Sequence, residues 1–302
     1  MLKDLFQNLG GNSLQYEGMV YRPPSEARSF ILQVTIGCAH NACTFCTMYK
    51  DKRFRIRKTG EIFADIQDVY EQVGDHVRRI FLADGDALII PTDRLKEILQ
   101  KLRETFPSAE RITSYGAPKD VEAKSDAELK ALKESGLDMV YIGLESGDDE
   151  VLRRIKKGVD ADAIVRAVQR LKTAGIQTSV TLISGLGGKE RLQEHARKSA
   201  EAISRMRPDY VGFLTLMTDP AAPIQKEIDS GALQLLSPEE VMDEMEIFLS
   251  NVDSPGTVFR ANHASNYLLL KGNLNEDVPI MLKQVRDVRK QHGFRKESWR
   301  MF

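Results

Sequence analysis

Cysteine is scarce in this chain. Its 302 residues carry three, all between positions 38 and 46, and an odd number packed so tightly cannot build a disulfide framework. An excess of one charge sign is also lacking. The 43 Lys and Arg stand against 44 Asp and Glu, a formal net charge of −1, so nothing global draws the chain to nucleic acid or to a membrane surface. No apolar run approaches the roughly 20 residues needed to cross a bilayer. The start, Met1-Leu2-Lys3-Asp4-Leu5, turns polar and acidic too early for a secretory signal. These absences place the chain in the cytoplasm, where thiols stay reduced. Three clustered thiols in that setting read as a metal or cluster site. No internal repeat beyond a βα period, and no low-complexity tract, is visible.

That period is what the sequence does contain. Apolar runs at 30–34, 77–82, 111–115, 139–144, 176–183 and 210–216 are strand candidates. Amphipathic stretches at 61–73, 92–105, 125–135, 148–156, 162–174 and 190–206 are helix candidates between and after them, with Gly136 and Gly175 placed as C′ stops. Strands alternating with helices mean parallel βα units joined by right-handed crossovers. The run Met139-Val140-Tyr141-Ile142 is apolar on both faces, which fits the inside of a partial (β/α)6 TIM-like barrel, with a doubly wound open sheet as the competing arrangement. Beyond residue 220 a helix over 237–249, a seventh strand over 257–260 and a helix over 279–292 are expected. Residues 1–29 then form an N-terminal extension or lid, 30–220 the core, and 221–302 a C-terminal extension placed to cap a substrate.

The cysteine loop reads Gly37-Cys38-Ala39-His40-Asn41-Ala42-Cys43-Thr44-Phe45-Cys46. Three thiolates leave one iron of a cubane cluster open to another ligand. The loop follows the first strand, at the C-terminal face where barrel enzymes carry their active sites. The plainer alternative is zinc held by the three cysteines and His40, in a regulatory or interaction protein. The loop resembles that of the radical S-adenosylmethionine (SAM) superfamily, whose C-x-Φ-C ending is matched with Phe45 in the aromatic position. The gap from Cys38 to Cys43 holds four residues where that family usually has three, a C-x4-C-x2-C loop. The resemblance implies a [4Fe–4S] cluster on Cys38, Cys43 and Cys46, with SAM chelating the fourth iron.

Later strand ends extend the resemblance over residues 30–220. Asp84-Gly85-Asp86 follows the second strand, where the family holds the SAM amino group; on residue chemistry alone it is a βα turn with solvated acids. Ile142-Gly143-Leu144-Glu145-Ser146 is similar to the branch containing the Elongator catalytic subunit and anaerobic coproporphyrinogen oxidase, which places Glu145 and Ser146 near the SAM ribose and methionine. Lys157 is the chosen partner for the methionine carboxylate. Ser184-Gly185-Leu186-Gly187-Gly188 lacks both P-loop and Rossmann spacing; by resemblance Gly185 lets backbone approach the adenine, with Met217 also beside it.

The implied activity is reductive cleavage of SAM and hydrogen abstraction from a substrate, an oxidoreductase or lyase-type reaction in an anaerobic setting. A flavodoxin or ferredoxin supplies the low-potential electron, and a small molecule is favoured over nucleic acid as substrate. An RNA-modifying member of the same superfamily is the alternative. With all three cysteines committed, none is left for an auxiliary cluster. Substrate residues are sought outside the shared core: Asn262, His263 and Asn266 after the seventh strand, with Tyr21 and Arg22 second. The plain reading of 262–266 is a surface turn. The last twenty residues hold seven Lys and Arg against two acids, expected as a solvated helix face with an aromatic anchor around Trp299.

Overall fold

The computed structural model describes residues 16–300. The first half of the N-terminal extension and the final Met301-Phe302 lie outside the described residues. The elements alternate as the sequence pattern requires. In chain order the strands are β1 (Phe30–Gln33), β2 (Thr35–Ile36), β3 (Arg55–Ile56), β4 (Arg79–Ala83), β5 (Arg111–Tyr115), β6 (Leu137–Glu145), β7 (Gln177–Ser184), β8 (Tyr210–Thr215), β9 (Val258–Ala261) and β10 (Leu270–Asn273). The helices are α1 (Thr59–Val73), α2 (Thr92–Thr105), α3 (Pro118–Glu122), α4 (Asp126–Glu134), α5 (Asp149–Arg154), α6 (Ala161–Thr173), α7 (Leu192–Met206), α8 (Gln225–Asp229), α9 (Pro238–Asn251) and α10 (Val278–Gln291). Among the described residues no helix is long and apolar enough to cross a membrane.

The chain divides into two compact units. Of the described residues, the first holds 16–41, 48–141 and 173–177. Its strands pair in parallel in the order β1-β4-β5-β6, with Phe30 opposite Ile80, Arg79 opposite Arg111 and Tyr115 opposite Tyr141. β2 and β3 form a separate antiparallel hairpin. Helices α1 and α2 cover the sheet with Ile62, Ile66, Leu95, Ile98, Leu99 and Leu102 fully buried. α4 begins where Ser125 accepts from Glu128 N–H and Glu128 reaches back to Ser125 N–H, a reciprocal cap that satisfies two end donors.

The second unit holds, of the described residues, 42–47, 142–172 and 178–300. Its strands run in the order β6-β7-β8-β9-β10, where β8 pairs in parallel with β7 and β9, and β10 is antiparallel to β9. β7 alternates, burying Thr178, Val180, Leu182 and Ser184. The apolar stripe of α7, with Ala196, Ala200, Ile203 and Met206, packs against α9, which presents Val241, Met245, Phe248 and Leu249. Phe213, Phe248 and Phe259 stack behind β8 and β9 at 5.2–6.1 Å between ring centres.

The expected seventh strand is β9, parallel to its neighbour. β10 was not expected, because Leu-Lys-Gly-Asn carries no alternating pattern; it exists by pairing with β9. The tail corrects another expectation. Trp299 is 59% exposed, with Lys296 Nζ 5.7 Å from its ring centre. Arg300 is the anchor, 8% exposed, stacked 4.0 Å from the Tyr267 ring centre and donating to Ser265 O (2.6 Å) and Leu216 O (3.0 Å). A planar guanidinium both stacks and chelates carbonyls.

Candidate functional site

In the first unit, Cys38 follows β2 after Gly37, whose φ of +76° suits glycine. The Ala83–Asp84 peptide is cis, and the 84–86 turn is sewn to this segment. Gly85 N–H donates to Gly37 O (3.1 Å). A Cβ on Gly85 would stand 2.9 Å from Cys38 Cβ and 3.2 Å from the Tyr49 ring, so only glycine lets the turn pass this close.

Asp84 is wholly buried, yet its carboxylate is fully engaged. It accepts from Gly37 N–H (2.9 Å), Gln33 Nε2 (3.1 Å) and Lys52 Nζ (2.9 Å). Lys52, 4% exposed along its side chain, also donates to Met19 O (2.6 Å). A buried ion pair closed by hydrogen bonds on both partners fixes geometry more than it adds stability. Here it fixes the base of the cysteine loop.

Asp86 is also buried. Its Oδ1 accepts from Leu88 N–H (3.1 Å) and Ala117 N–H (3.3 Å), while Oδ2 meets no donor. Burial, then the neighbouring Asp120 carboxyl, pushes its pKa well above the usual carboxylate range. Both acids of the turn are therefore interior, not solvated, and both brace backbone.

In the second unit, residues 42–47 are seated by backbone and ring contacts. Thr44 N–H donates to Ile155 O (2.9 Å), and Thr44 O accepts from Ile224 N–H (2.9 Å). Phe45 packs on the cluster of Ala222, Ile224 and Leu233, and Thr47 donates to Asp219 (2.8 Å). Cys43 and Cys46 flank these anchors. All three cysteines are partly exposed and unbridged. Among the described residues no group of three or more His, Cys, Asp or Glu side chains is gathered to hold a metal ion.

The end of β6 brings two expected residues together. Glu145 Oε1 lies 2.9 Å from Lys157 Nζ, both nearly buried. Glu145 has φ +63°, a left-handed backbone that disfavours a side-chain-bearing residue by about 1–2 kcal/mol. Gly143 makes room, since a Cβ there would fall 1.9 Å from Glu145 Oε1. Ser146 Oγ pairs with His195 Nδ1 (2.7 Å), Gly147 N–H donates to Ser199 Oγ (2.9 Å), and Asp148 binds Arg191 (2.6 Å) and Lys198 (2.9 Å). Burial alone would raise the Asp148 pKa, but these two cations outweigh it and hold the carboxyl below the usual range.

Gly185, at φ +84°, donates its N–H to Glu244 Oε2 (2.9 Å). Leu216 N–H donates to Ser184 O (2.9 Å), and Met217 beyond it is half-buried. Among the C-terminal candidates, Asn262 is exposed and His263 half-buried, and burial lowers the His263 pKa. Asn266 is buried with its amide committed to β8, accepting from Thr215 Oγ1 (2.9 Å) and donating to Phe213 O (2.8 Å).

Sequence reasoning missed Lys52, Asp120, His195 and Glu244. For the last two a signal existed: each interrupts the apolar stripe of its helix.

The model of the radical SAM superfamily matches residues 32–199, more than half of the chain and inclusive of the whole cysteine loop. The chain belongs to the radical SAM superfamily. That family uses a [4Fe–4S] cluster and SAM; Cys38, partly exposed and unbridged beside a glycine that admits close backbone, fits as one thiolate donor, and Cys43 and Cys46 are likewise partly exposed and unbridged.

Among curated relatives, the heme chaperone HemW of Bacillus subtilis (strain 168) is 19% identical over 60% of this chain and 47% of its own length. The chain spans about half or less of the first relatives it matches. Among solved structures, coproporphyrinogen III oxidase (HemN) from Escherichia coli superposes with a TM-score of 0.55 at 20% identity, covering 74% of this chain and 52% of that one. Methylornithine synthase (PylB) gives 0.53 at 18%, covering 88% and 81%. At such identities the structures speak for the fold: a mostly parallel α/β sheet of the partial TIM-like radical SAM type.

Proposed function

We propose that this protein is a one-cluster radical SAM enzyme, with the cluster on Cys38, Cys43 and Cys46. The observation that carries the reading is the superfamily match across residues 32–199, which contains all three cysteines. A cluster held by these cysteines would, once reduced by an external low-potential donor, supply the electron for cleaving SAM to methionine and a 5′-deoxyadenosyl radical that removes hydrogen from a substrate carbon.

The chain's own residues bind and orient. Gly85 lets the 84–86 turn lie beside Cys38, so the carbonyls of that turn accept hydrogen bonds from the SAM ammonium while Asp84 and Asp86 hold the turn in place. Glu145 takes the ribose hydroxyls, and Lys157 turns from Glu145 to the methionine carboxylate. Ser146 holds the methionine side of this pocket. Gly185 and Met217 offer backbone to the adenine, and Phe45 fixes the spacing between the last two thiolates. Such fixed donors act by orientation, converting an encounter into a held geometry.

Asn262 and His263 are the residues proposed for substrate, within a cap formed by 221–302; Asn266 supports them from behind through β8. A flavodoxin or ferredoxin donor, a cytoplasmic and anaerobic setting and a small-molecule substrate complete the proposal. The near-zero net charge supports the last choice over RNA.

The test is anaerobic reconstitution with iron and sulfide, followed by SAM and dithionite. About four irons per chain and formation of 5′-deoxyadenosine are expected, both lost in Cys38→Ala. Zinc retained without iron, or cleavage surviving Cys38→Ala, would overturn the assignment.

A further inference from the structure

The second unit contains a buried polar chain of which only Ser146 was given a role above. Ser146 at the end of β6, His195 on α7, Glu244 on α9 and Ser184 at the end of β7 are all at most 2% exposed. Ser146 Oγ lies 2.7 Å from His195 Nδ1, and His195 Nε2 stands 3.5 Å from Glu244 Oε1. Glu244 Oε2 accepts from Ser184 Oγ and from Gly185 N–H (2.9 Å).

Ser146 Oγ accepts from Asp148 N–H (3.0 Å) and shares a second hydrogen bond with His195 Nδ1, which a hydroxyl can make as donor or as acceptor. His195 Nε2 faces Glu244 Oε1, a buried atom with no hydrogen-bond partner of its own, so their 3.5 Å approach is a close polar contact. The Ser–His–acid order is that of an activated nucleophile, but Ser146 is sealed from solvent and already bonded to backbone. The arrangement holds; it does not attack.

What it holds are the two turns assigned to SAM. Both press on α7 through glycines. A Cβ on Gly147 would meet Lys198 O at 2.2 Å, and one on Gly187 would meet His195 Cβ at 2.9 Å. One imidazole thus joins the turn after β6 to the turn after β7. We infer that His195 and Glu244 are positioning residues for SAM, acting through Ser146 and Gly185 to set the spacing of these two turns. The inference rests on the SAM assignment made above.

The test uses full-length, cluster-loaded enzyme. SAM binding is measured by equilibrium dialysis without reductant, beside kcat, KM and melting temperature. His195→Phe keeps the ring's bulk and removes both nitrogens. It is expected to weaken SAM binding about tenfold, the worth of one hydrogen bond, with kcat at saturating SAM within about twofold and iron content unchanged. Glu244→Leu should match it. Glu244→Gln, which still accepts from Ser184 and Gly185, should stay within about threefold of wild type.

Leu99→Ala in α2, a core truncation in the first unit, controls for lost stability. SAM affinity unchanged in His195→Phe, or equally weakened in Leu99→Ala at the same melting temperature, overturns the inference. Should His195→Phe not fold, the Glu244→Gln and Glu244→Leu comparison decides it, equal affinities overturning it. Wild-type enzyme that neither binds nor cleaves SAM overturns the functional reading itself. Cleavage by wild type with indifferent variants overturns only this inference.

Discussion

Replacing Asp84 with Asn tests the base of the cysteine loop directly. The carboxylate receives donors from Gln33, Gly37 and Lys52, and neither it nor Lys52 can reach water, at 0% and 4% side-chain exposure. Asn keeps one acceptor but turns an amide N–H₂ toward other donors, and it strands the buried ammonium. Breaking a buried pair on one side costs about 3–5 kcal/mol. For a chain of this length that is a fall of about 5–8 °C in melting temperature.

Lys52→Met should be destabilising for the mirror reason. Asp84→Asn/Lys52→Met together should recover about 2–3 kcal/mol relative to the sum of the singles, because each change removes the other's stranded group. Calorimetry on the four proteins at pH 7 closes the cycle, and iron uptake on reconstitution should fall in Asp84→Asn as Gly37 N–H loses its acceptor. A single-mutant loss below about 1 kcal/mol, or strict additivity, would refute the reasoning.

Other perturbations have equally definite outcomes. Gly143→Ala places a Cβ where the Glu145 carboxylate sits; the flexible end moves off Lys157, so stability drops only about 1 kcal/mol, while KM for SAM rises in the 5′-deoxyadenosine assay. An unchanged KM with the Glu145–Lys157 pair broken would contradict the assigned roles. Asp86 has a folded pKa raised by burial and by Asp120, so its contribution is fully present below the unfolded value near 3.8 and is lost as pH rises through the folded value. Asp86→Asn should therefore raise the melting temperature at pH 8 and do so less at pH 5; a loss at pH 8 would show the carboxyl is not a burden there. Arg300→Ala removes the ring stack and the bonds to Ser265 and Leu216 carbonyls, with an expected loss of about 2–3 kcal/mol in urea unfolding. Deleting Trp299 as Trp299→Ala should change stability by less than about 0.5 kcal/mol.

β4 and β6 were legible because burial on both faces leaves continuous apolar runs, as in Met139–Ile142, while β7 and β8 were legible from strict alternation. The helices from Ser125 and Ser237 were legible from their amphipathic stretches, and the structure shows each closed by a Glu three residues later. The cysteine loop needed no structure to stand out. What stayed hidden depends on partners distant in sequence. Asp84 reads as a solvated turn acid until Lys52, 32 residues upstream, is seen buried against it. β10 depends on β9, and Asn266 looks like a mouth residue until its amide is found on β8. Glu244 and His195 lie on apolar stripes, where periodicity alone counts them as exceptions. The tail was expected to be anchored by an aromatic ring, yet a guanidinium can satisfy buried carbonyls as an indole cannot.

The crowding at Gly85 bears on how this protein can be re-engineered. A library randomised over 84–86 and selected for cluster retention would return glycine at the centre in nearly every survivor, since the smallest added carbon overlaps Cys38. Asp84 would vary only in company with Lys52, and Asp86 would drift freely toward amides. If 262–263 carry the substrate as proposed, new specificity is better sought at exposed Asn262 and half-buried His263, leaving the 84–86 turn as invariant hardware.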